Sequence, residues 1–405
     1  MKKACIITYG CKLNQYETQL MMQQLKDEYT FSDSFEGCDL VIINSCAVTA
    51  KAAKESRNAA RRVHRKNPLA RIIYTGCDSY LEKNLPATIV GNSYKQEIKK
   101  ALLLETNDTD TSTRNYPLNA TLTQFHGRAR AFVKIQEGCN NHCTFCIIPK
   151  LRGKSRDKPI ELIMDELRAL ENFGEIVLTG TDIGSYGNLK QLLKKIVSEN
   201  LKSRIRISSI EPMYVDDELI EIVSDRAFAH HLHIPLQSGC SRILKLMGRN
   251  YTKEEYARIV HTCYKKGIFV GTDVIVGFPS ETDKDFSETY SFIEALPLTY
   301  GHVFTYSPRP HTAAIRLKFQ PVRGPVARKR NVSLKELFER KFRESVKEMV
   351  GKTTTLVVEK RTLIRNNRSY YRCVSSQYFP VLTHTYRSGL IEAKIRDFDG
   401  EFAYA

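Results

Sequence analysis

Three cysteines in one short loop carry the clearest chemistry in the sequence. Cys139, Cys143 and Cys146 stand in the run Cys-Asn-Asn-His-Cys-Thr-Phe-Cys, directly after a predicted strand. Thiolates at this spacing can bind one face of a [4Fe–4S] cluster and leave one iron open to chelate a small molecule. A structural zinc site is the alternative, but it requires four closed ligands, and His142 is awkwardly placed between two of the cysteines.

Three further cysteines share a placement near the start of the chain. Cys11, Cys46 and Cys77 each follow a predicted buried strand. The carboxyl ends of parallel strands meet at one edge of an open α/β sheet, where ligands bind, so we expect the three thiols to converge. We interpret them as ligands of a second cluster with an open iron. The alternative is three unrelated small core side chains. The other five cysteines have no spaced partner and are not expected to be ligands: Cys5, Cys38, Cys240, Cys263 and Cys373.

Each of the two cysteine sets is expected in its own α/β domain. The first domain, residues 1–105, alternates β-rich and helical runs and predicts an open parallel α/β sheet, with strands at 5–9, 40–43 and 71–74. Residues 105–114 are polar and predict a linker. The second domain, residues 125–345, repeats the alternation and predicts a partial or full (β/α) barrel. Its candidate strands are 131–136, 175–180, 204–210, 231–236 and 269–277.

The last part of the chain has a different sequence pattern from the two α/β domains. Residues 350–405 are short β-rich runs between polar turns, which predict a small OB-like β-barrel. The fold class is therefore α/β with a C-terminal β domain.

Composition limits the class of protein. The 405 residues are 42% hydrophobic and 26% charged, so a sizeable core is expected. The net charge of +17 favours an anionic partner, most often nucleic acid, although a generally basic proteome is an alternative. No apolar run is long enough to span a membrane, and the N-terminus lacks the apolar core of a signal peptide. We expect a cytoplasmic protein without a membrane partner, whose clustered cysteines bind metal.

The loop of Cys139, Cys143 and Cys146, with Phe145 before its last cysteine, resembles that of the radical S-adenosylmethionine (SAM) superfamily. The resemblance implies that SAM binds the open iron and is cleaved to a 5′-deoxyadenosyl radical, which abstracts a hydrogen atom. Later motifs resemble, in order, those of the methylthiotransferases, which insert sulfur and methylate it. These are TGTDIGSYG (179–187), SSIEP (208–212), HLHIPLQSGCSRILKLMGRNYT (231–252), GTDVIVGFPSETDKDFSET (271–289) and HVFTYSPRP (302–310).

The family resemblance implies roles for individual residues. It makes all six clustered cysteines catalytic and gives Cys11, Cys46 and Cys77 the auxiliary cluster that delivers sulfur. Contacts to SAM are expected from polar residues after barrel strands and from Phe145, although a helix cap or salt bridge is an equally good interpretation of each polar group. The expected SAM-binding residues are Phe145, Arg152, Asp182, Glu211, Gln237 and Arg249. His231 and His233 share one side of a predicted strand, with no third ligand evident for zinc.

Three strings distinguish the branches of this family. GCKLNQYET, INSCAVT and TGTDIGSYG resemble the branch that acts on N6-threonylcarbamoyladenosine, and not the GCQMN-type isopentenyladenosine branch or the GCPKN-type aspartate branch. The resemblance implies 2-methylthiolation of that nucleoside at position 37, in the anticodon loop of tRNA. It implies two [4Fe–4S] clusters and two SAM, one as methyl donor and one as radical source. It also implies a reductant such as flavodoxin or ferredoxin and an unidentified sulfur donor.

The charge distribution suits RNA. Residues 50–71 and 309–335 are rich in Lys and Arg and almost free of acids, which favours phosphate binding, although a solvated face is the alternative. The C-terminal segment resembles the RNA-binding TRAM domain, but it is short for one. Its aromatic residues suit base stacking or a barrel core: Tyr370, Tyr371, Tyr378 and Phe379. The other branches of the family, and a non-catalytic RNA-binding iron–sulfur protein, remain as alternatives.

Overall fold

The computed structural model describes residues 1–109, 116–316, 320–365 and 367–405. The part of the predicted linker from residue 110 onward lies outside the described residues, as do positions 317–319 of the second basic run. The described residues form three sheet-bearing units in chain order. Within them no helix is long and apolar enough to cross a membrane.

The first unit is a five-stranded, fully parallel sheet in the order β2-β1-β3-β4-β5, which confirms the predicted open α/β sheet. Strand β3 lies at its centre, and alternate residues of β3 enter hydrophobic clusters on opposite faces. Both faces are therefore covered, as expected for a parallel sheet. The elements are β1 (Lys2–Thr8), α1 (Lys12–Leu25), β2 (Tyr29–Phe31), β3 (Leu40–Ser45), α2 (Ala50–Lys66), β4 (Arg71–Gly76), β5 (Thr88–Ile89) and α3 (Ile98–Ala101).

The second unit is a partial barrel of six parallel strands. Two three-stranded ladders, β6-β9-β10 and β11-β12-β13, meet through a single bridge between Ser209 and His233. The six barrel strands are β6 (Arg130–Lys134), β9 (Glu175–Thr179), β10 (Arg204–Ile207), β11 (His231–His233), β12 (Phe269–Val276) and β13 (Tyr300–Thr305). A separate antiparallel pair is formed by β7 (Gln136–Glu137) and β8 (Arg156–Asp157). The helices are α4 (Ile148–Arg152), α5 (Ile160–Ala169), α6 (Leu189–Glu199), α7 (Asp217–Val223), α8 (Ser241–Leu246), α9 (Lys253–Lys265), α10 (Asp283–Ala295), α11 (Ala313–Arg316) and α12 (Gly324–Lys347).

Strand β13 was not among the predicted strands. Its apolar pattern is weak because His302 and Phe304 are exposed and only Val303 is buried. A Cβ added to Gly301 would collide with the ring of Phe338 on α12, so Gly301 and Val303 face that outer helix. Tyr300, His302 and Phe304 consequently point to the inner, concave face of the barrel.

The third unit is a six-stranded sheet in the order β17-β14-β15-β16-β19-β18. Its pairs are antiparallel except for β16 with β19. Arg204 and Arg206 of the barrel pair with Glu175 and also donate hydrogen bonds to backbone carbonyls of this sheet, which joins the two units. The strands are β14 (Thr353–Arg365), β15 (Arg368–Ser375), β16 (Pro380–Thr383), β17 (Leu390–Lys394), β18 (Asp397–Phe398) and β19 (Ala403–Tyr404).

Candidate active site

The loop of Cys139, Cys143 and Cys146 is held by backbone hydrogen bonds on both sides. The amide of Cys139 donates to the carbonyl of Gly153 (3.1 Å), and the amide of Thr144 donates to that of Met247 (2.9 Å). Gly138 has φ +84°, and a Cβ there would lie 1.9 Å from a backbone oxygen of Lys154, so only glycine fits this turn. The loop conformation is therefore imposed by its neighbours.

The three thiols of this loop lie within electrostatic reach of one another. Burial raises the pKa of Cys139 to about 12, and the charges of Asp182, Cys146 and Cys143 add to the effect. Burial likewise raises the pKa of Cys146 to about 12. Three partly buried thiols that oppose one another's ionisation form a donor set that bound iron would stabilise, because a coordinating thiol is deprotonated by the metal. The residues fit an iron–sulfur cluster.

Charged side chains surround the cysteine loop. Arg249 donates a hydrogen bond from Nη1 to the Sγ of Cys143 (3.0 Å) and forms an ion pair with Glu211. Asp182 lies beside Cys139, with 3.6 Å between Oδ2 and Sγ, and accepts a hydrogen bond from Asn141 (2.8 Å). Burial, followed by the charge of Glu211, raises the pKa of Asp182 to about 6. No described residue donates to the buried Oδ1 of Asp182, so this oxygen can accept a hydrogen bond from a ligand.

Two other expected SAM-binding residues are Gln237, which follows β11, and Phe145, which lies within the cysteine loop. Gln237 adopts φ +62°, and its backbone continues the ladder with β12 through hydrogen bonds to Asp273 (2.8 Å) and Ile275 (2.9 Å). Phe145 packs against a buried cluster that contains Ile243 and Met247 of the α8 region. Phe145 therefore anchors the cysteine loop to the barrel, and its contact with SAM stays a prediction.

The structure brings Cys11, Cys46 and Cys77 together at one edge of the first sheet. Strands β1, β3 and β4 are neighbours, and each cysteine follows the end of one of them. Burial is the largest cause that raises the pKa of Cys46 to about 12, and the charges of Cys77 and Cys11 contribute. A Cβ on Gly10 would lie 2.7 Å from the Sγ of Cys46, so the chain is closely packed around this thiol. This second donor set also fits a cluster with three thiolate ligands.

Arg152 lies between the two cysteine sets. It is 2% exposed, and its Nε donates to the Sγ of Cys77 (3.3 Å). Its other nitrogens donate to Glu17 (2.9 Å), Glu137 (2.9 Å) and Asn14 (2.8 Å). This corrects the expectation that Arg152 contacts SAM, because helix α4 starts directly after the loop of Cys146 and brings its last residue to the edge of the first sheet.

The sequence did not reveal the buried polar network around Arg152. Lys95 pairs with Glu17 (2.6 Å) and Lys134 with Glu137 (2.9 Å), and all four side chains are at most 4% exposed. A signal was present in GCKLNQYE, where Asn14 and Glu17 are three residues apart and so lie on the same face of α1. Their partners come from elements far along the chain, which single-sequence reasoning does not pair.

A histidine group lies on the concave face of the barrel. His233 Nε2 lies 3.0 Å from Asp273 Oδ1, and ligand atoms of His233, Asp273 and His302 all lie within 4.8 Å of one another. Neighbouring strands thus supply two candidate metal ligands beside His233, whereas His231 is not part of this group. His233 nevertheless already has hydrogen-bond partners in Asp273 and in Tyr300, 3.2 Å from Nδ1. His231 is stacked against Tyr378 of the third unit.

The remaining cysteines lie in hydrophobic clusters. All eleven cysteines are free thiols, and five are buried among apolar side chains away from the two sets. They are Cys5, Cys38, Cys240, Cys263 and Cys373.

Comparisons with known proteins agree with this arrangement. Residues 133–293 match the model of the Radical SAM superfamily, and residues 3–91 match that of Uncharacterized protein family UPF0004. The chain is 38% identical over 395 residues to a threonylcarbamoyladenosine tRNA methylthiotransferase of Aquifex aeolicus, covering 90% of this chain and 95% of that protein. It is also 38% identical to the Bacillus subtilis protein of the same name, covering 77% and 75%.

A solved structure shares the fold. It is a radical S-adenosylmethionine methyltransferase, TsrM, from Kitasatospora setae, with cobalamin and a [4Fe–4S] cluster bound, at 16% identity and a TM-score of 0.59 over 77% of each chain. Together, the matched domains, the cysteine loop of the barrel and the extent of the similarity to the Aquifex aeolicus protein establish the family. The chain belongs to the radical SAM methylthiotransferases.

Proposed function

We propose that this protein is a tRNA methylthiotransferase that converts N6-threonylcarbamoyladenosine at position 37, next to the anticodon, to its 2-methylthio form. The observation that carries the proposal is the pair of three-thiol sets, of which one contacts Arg152 and the other directly precedes the helix that Arg152 ends, because sulfur insertion by this family's chemistry needs two metal centres near one substrate. The choice of nucleoside is supported by the names of the Aquifex aeolicus and Bacillus subtilis relatives.

The two thiol sets have different proposed cofactors. Cys139, Cys143 and Cys146 would hold the [4Fe–4S] cluster that binds SAM, and Cys11, Cys46 and Cys77 would hold the auxiliary one. When bound, the first cluster and SAM supply the radical that removes hydrogen from adenine C2, and the second cluster supplies the sulfur that another SAM methylates. The chain's contribution is to hold, orient and screen these groups.

Four barrel residues would orient SAM. The buried Oδ1 of Asp182 has no donor among the described residues, so it is available to the cationic amino group of SAM. The Glu211–Arg249 pair offers a carboxylate to the same amino group and a guanidinium to the SAM carboxylate. Gln237 stands at the end of a neighbouring strand and would contact the polar part of the nucleoside. Arg152 is not included, because the auxiliary side of the site already occupies all of its nitrogens.

We propose that tRNA is recognised by the first basic run, residues 50–71, and by the third unit. The lysines and arginines of α2 are mostly exposed, which suits phosphate contacts. In the third unit, Phe379 is buried in the core and Tyr378 stacks on His231, so base stacking is left to Tyr370 and Tyr371. We propose residues 350–405 as a TRAM-like domain, beside the domains of residues 1–105 and 125–345. We further propose that the protein acts in the cytoplasm and that a flavodoxin- or ferredoxin-type protein is its reductant.

The experiment that tests this function is a nucleoside assay. Anaerobically reconstituted protein is incubated with SAM, sulfide, reductant and one of two tRNAs, carrying either threonylcarbamoyladenosine or isopentenyladenosine at position 37. Mass spectrometry of the digested nucleosides should show a methylthio adduct on the first tRNA alone. An adduct on the second tRNA alone would assign the protein to another branch, and RNA binding without SAM cleavage would indicate a non-catalytic protein.

A further inference from the structure

Lys12 is a cation next to the auxiliary site that pairs with no acid in the described part of the chain. It is the first residue of α1 and follows Cys11 directly. Its side chain is partly buried, and it enters no ion pair with any acid that the structure describes. The acid on the same helix, Glu17, is already occupied by Lys95, Lys134 and Arg152. A partly desolvated ammonium group without a counter-charge favours binding of an anion.

The charge of Lys12 affects the pKa values of histidines on the concave face of the barrel. Burial is the main cause that lowers the pKa of His302, and the charges of His233 and Lys12 act in the same direction. The pKa of His231 is lowered mainly by burial and further by Arg206, His233 and Lys12. The charge of Lys12 therefore reaches the inner faces of β11 and β13, where these two histidines lie.

That inner face carries rings suited to a nucleobase. Tyr300, His302 and Phe304 alternate along β13 and point away from α12. His302 stacks on His233 with 5.6 Å between ring centroids, and Phe304 is 45% exposed. An exposed phenylalanine beside an exposed imidazole is a platform on which a flipped base can stack.

The chemistry of the substrate connects these two features. In adenine, ring nitrogen N1 is bonded to C2 on one side and on the other to C6, which carries the N6 amine, so a substituent on N6 can lie along the edge that contains N1 and C2. A substrate adenine whose C2 lies beside Cys11 would thus have its N6 substituent next to Lys12. A threonylcarbamoyl substituent carries a carboxylate, whereas an isopentenyl substituent is neutral.

Resting on the proposed function, we propose that Lys12 binds the carboxylate of the N6 substituent while His302 and Phe304 stack on the base. Lys12 is then a specificity-determining residue that selects adenosines with an anionic N6 group. A charge-assisted hydrogen bond in a partly buried site is strong enough to give about a tenfold preference or more.

The test compares two RNAs that differ only in this charge. Anticodon stem–loops carry either threonylcarbamoyladenosine or its methyl ester, and fluorescence anisotropy measures Kd with anaerobically reconstituted protein. Wild type should bind the acid about ten times more tightly than the ester. Lys12→Gln should bind both equally, and Lys12→Arg should keep the preference. Lys26→Gln, at the exposed far end of α1, is the matched control and should behave as wild type.

Both Kd values of each variant are measured on one preparation. A partial loss of iron beside Cys11 therefore affects both values equally and does not change their ratio. A preference that persists in Lys12→Gln, or that is absent from wild type, overturns the role of Lys12. If either result is found while wild type still methylthiolates the acid RNA, the role of Lys12 is overturned but the proposed function is kept. If wild type modifies only isopentenyladenosine, both proposals fail.

Discussion

The Nε of Arg152 lies 3.3 Å from the Sγ of Cys77, although Arg152 belongs to the barrel unit and Cys77 to the first unit. Arg152 ends the short helix that starts just beyond Cys146, and Cys77 follows the last residue of β4. One side chain thus links the loop of the barrel to the edge of the first sheet. The position of each cysteine set depends on the other through this contact.

Removing the charge of Arg152 should be severe. Arg152→Gln leaves Glu17 and Glu137 buried with fewer cations, and breaking a buried ion network costs about 3–5 kcal/mol of unfolding free energy. Chemical denaturation of the apoprotein measures this loss. Arg168→Gln, which removes an exposed pair with Glu199, serves as the control and should change little. Equal stability of the two variants would show that the Arg152 network does not join the units.

Gly10→Ala should disrupt the auxiliary site alone. The new Cβ would lie 2.7 Å from both the Cβ and the Sγ of Cys46, so the thiol must move. Gly37→Ala is the matched control, because Gly37 also has a positive φ (+69°) but has open space around it. We expect iron per chain to fall from about eight to about four in Gly10→Ala and to stay near eight in Gly37→Ala. Full iron content in Gly10→Ala would contradict a cluster at Cys46.

These two sites show what the sequence could and could not predict. Cysteine spacing and the meeting of parallel strand ends at one sheet edge are local rules, so both thiol sets were predictable. The role of Arg152 was not, because it depends on the direction in which α4 leaves the loop. Strand β13 was missed because residues that face a substrate space lack the apolar pattern of a buried strand. Tyr378, which suggested RNA stacking, instead packs on His231 across a domain contact.

Glu175 should make the stability of the protein sensitive to acid. Burial would raise its pKa, but Arg206 and Arg204 outweigh burial and hold it well below its usual value. A depressed folded-state pKa contributes stability that is present above about pH 4.3, the ordinary value for Glu, and is lost as the pH falls below it. Between pH 7 and 3, Glu175→Gln should lose less stability than wild type in urea denaturation, although it starts lower.

The control for this pH series is Glu161→Gln, whose side chain is 77% exposed. Its stability should decline with acid as steeply as that of wild type. A Glu175→Gln variant with the wild-type slope would show that the arginine pair does not set the acid sensitivity.

The basic face of α2 should contribute to tRNA affinity through phosphate contacts. A Lys54→Gln/Arg61→Gln/Arg65→Gln variant should weaken binding and reduce the slope of log Kd against log salt concentration by about two to three. A matched triple variant on the outer surface of the barrel, Lys194→Gln/Lys195→Gln/Lys202→Gln, changes the net charge equally and should keep most of the slope. Equal slopes in the two variants would indicate non-specific attraction by the net charge.

The most direct test of the two-centre arrangement is the anaerobic iron and sulfide content of wild type beside a Cys11→Ala/Cys46→Ala/Cys77→Ala variant. We predict about eight irons per chain in wild type and about four in the variant, whose remaining cluster should still cleave SAM without forming a methylthio product. About four irons in both proteins would contradict the account, because Cys11, Cys46 and Cys77 would then hold no cluster from which sulfur could be delivered.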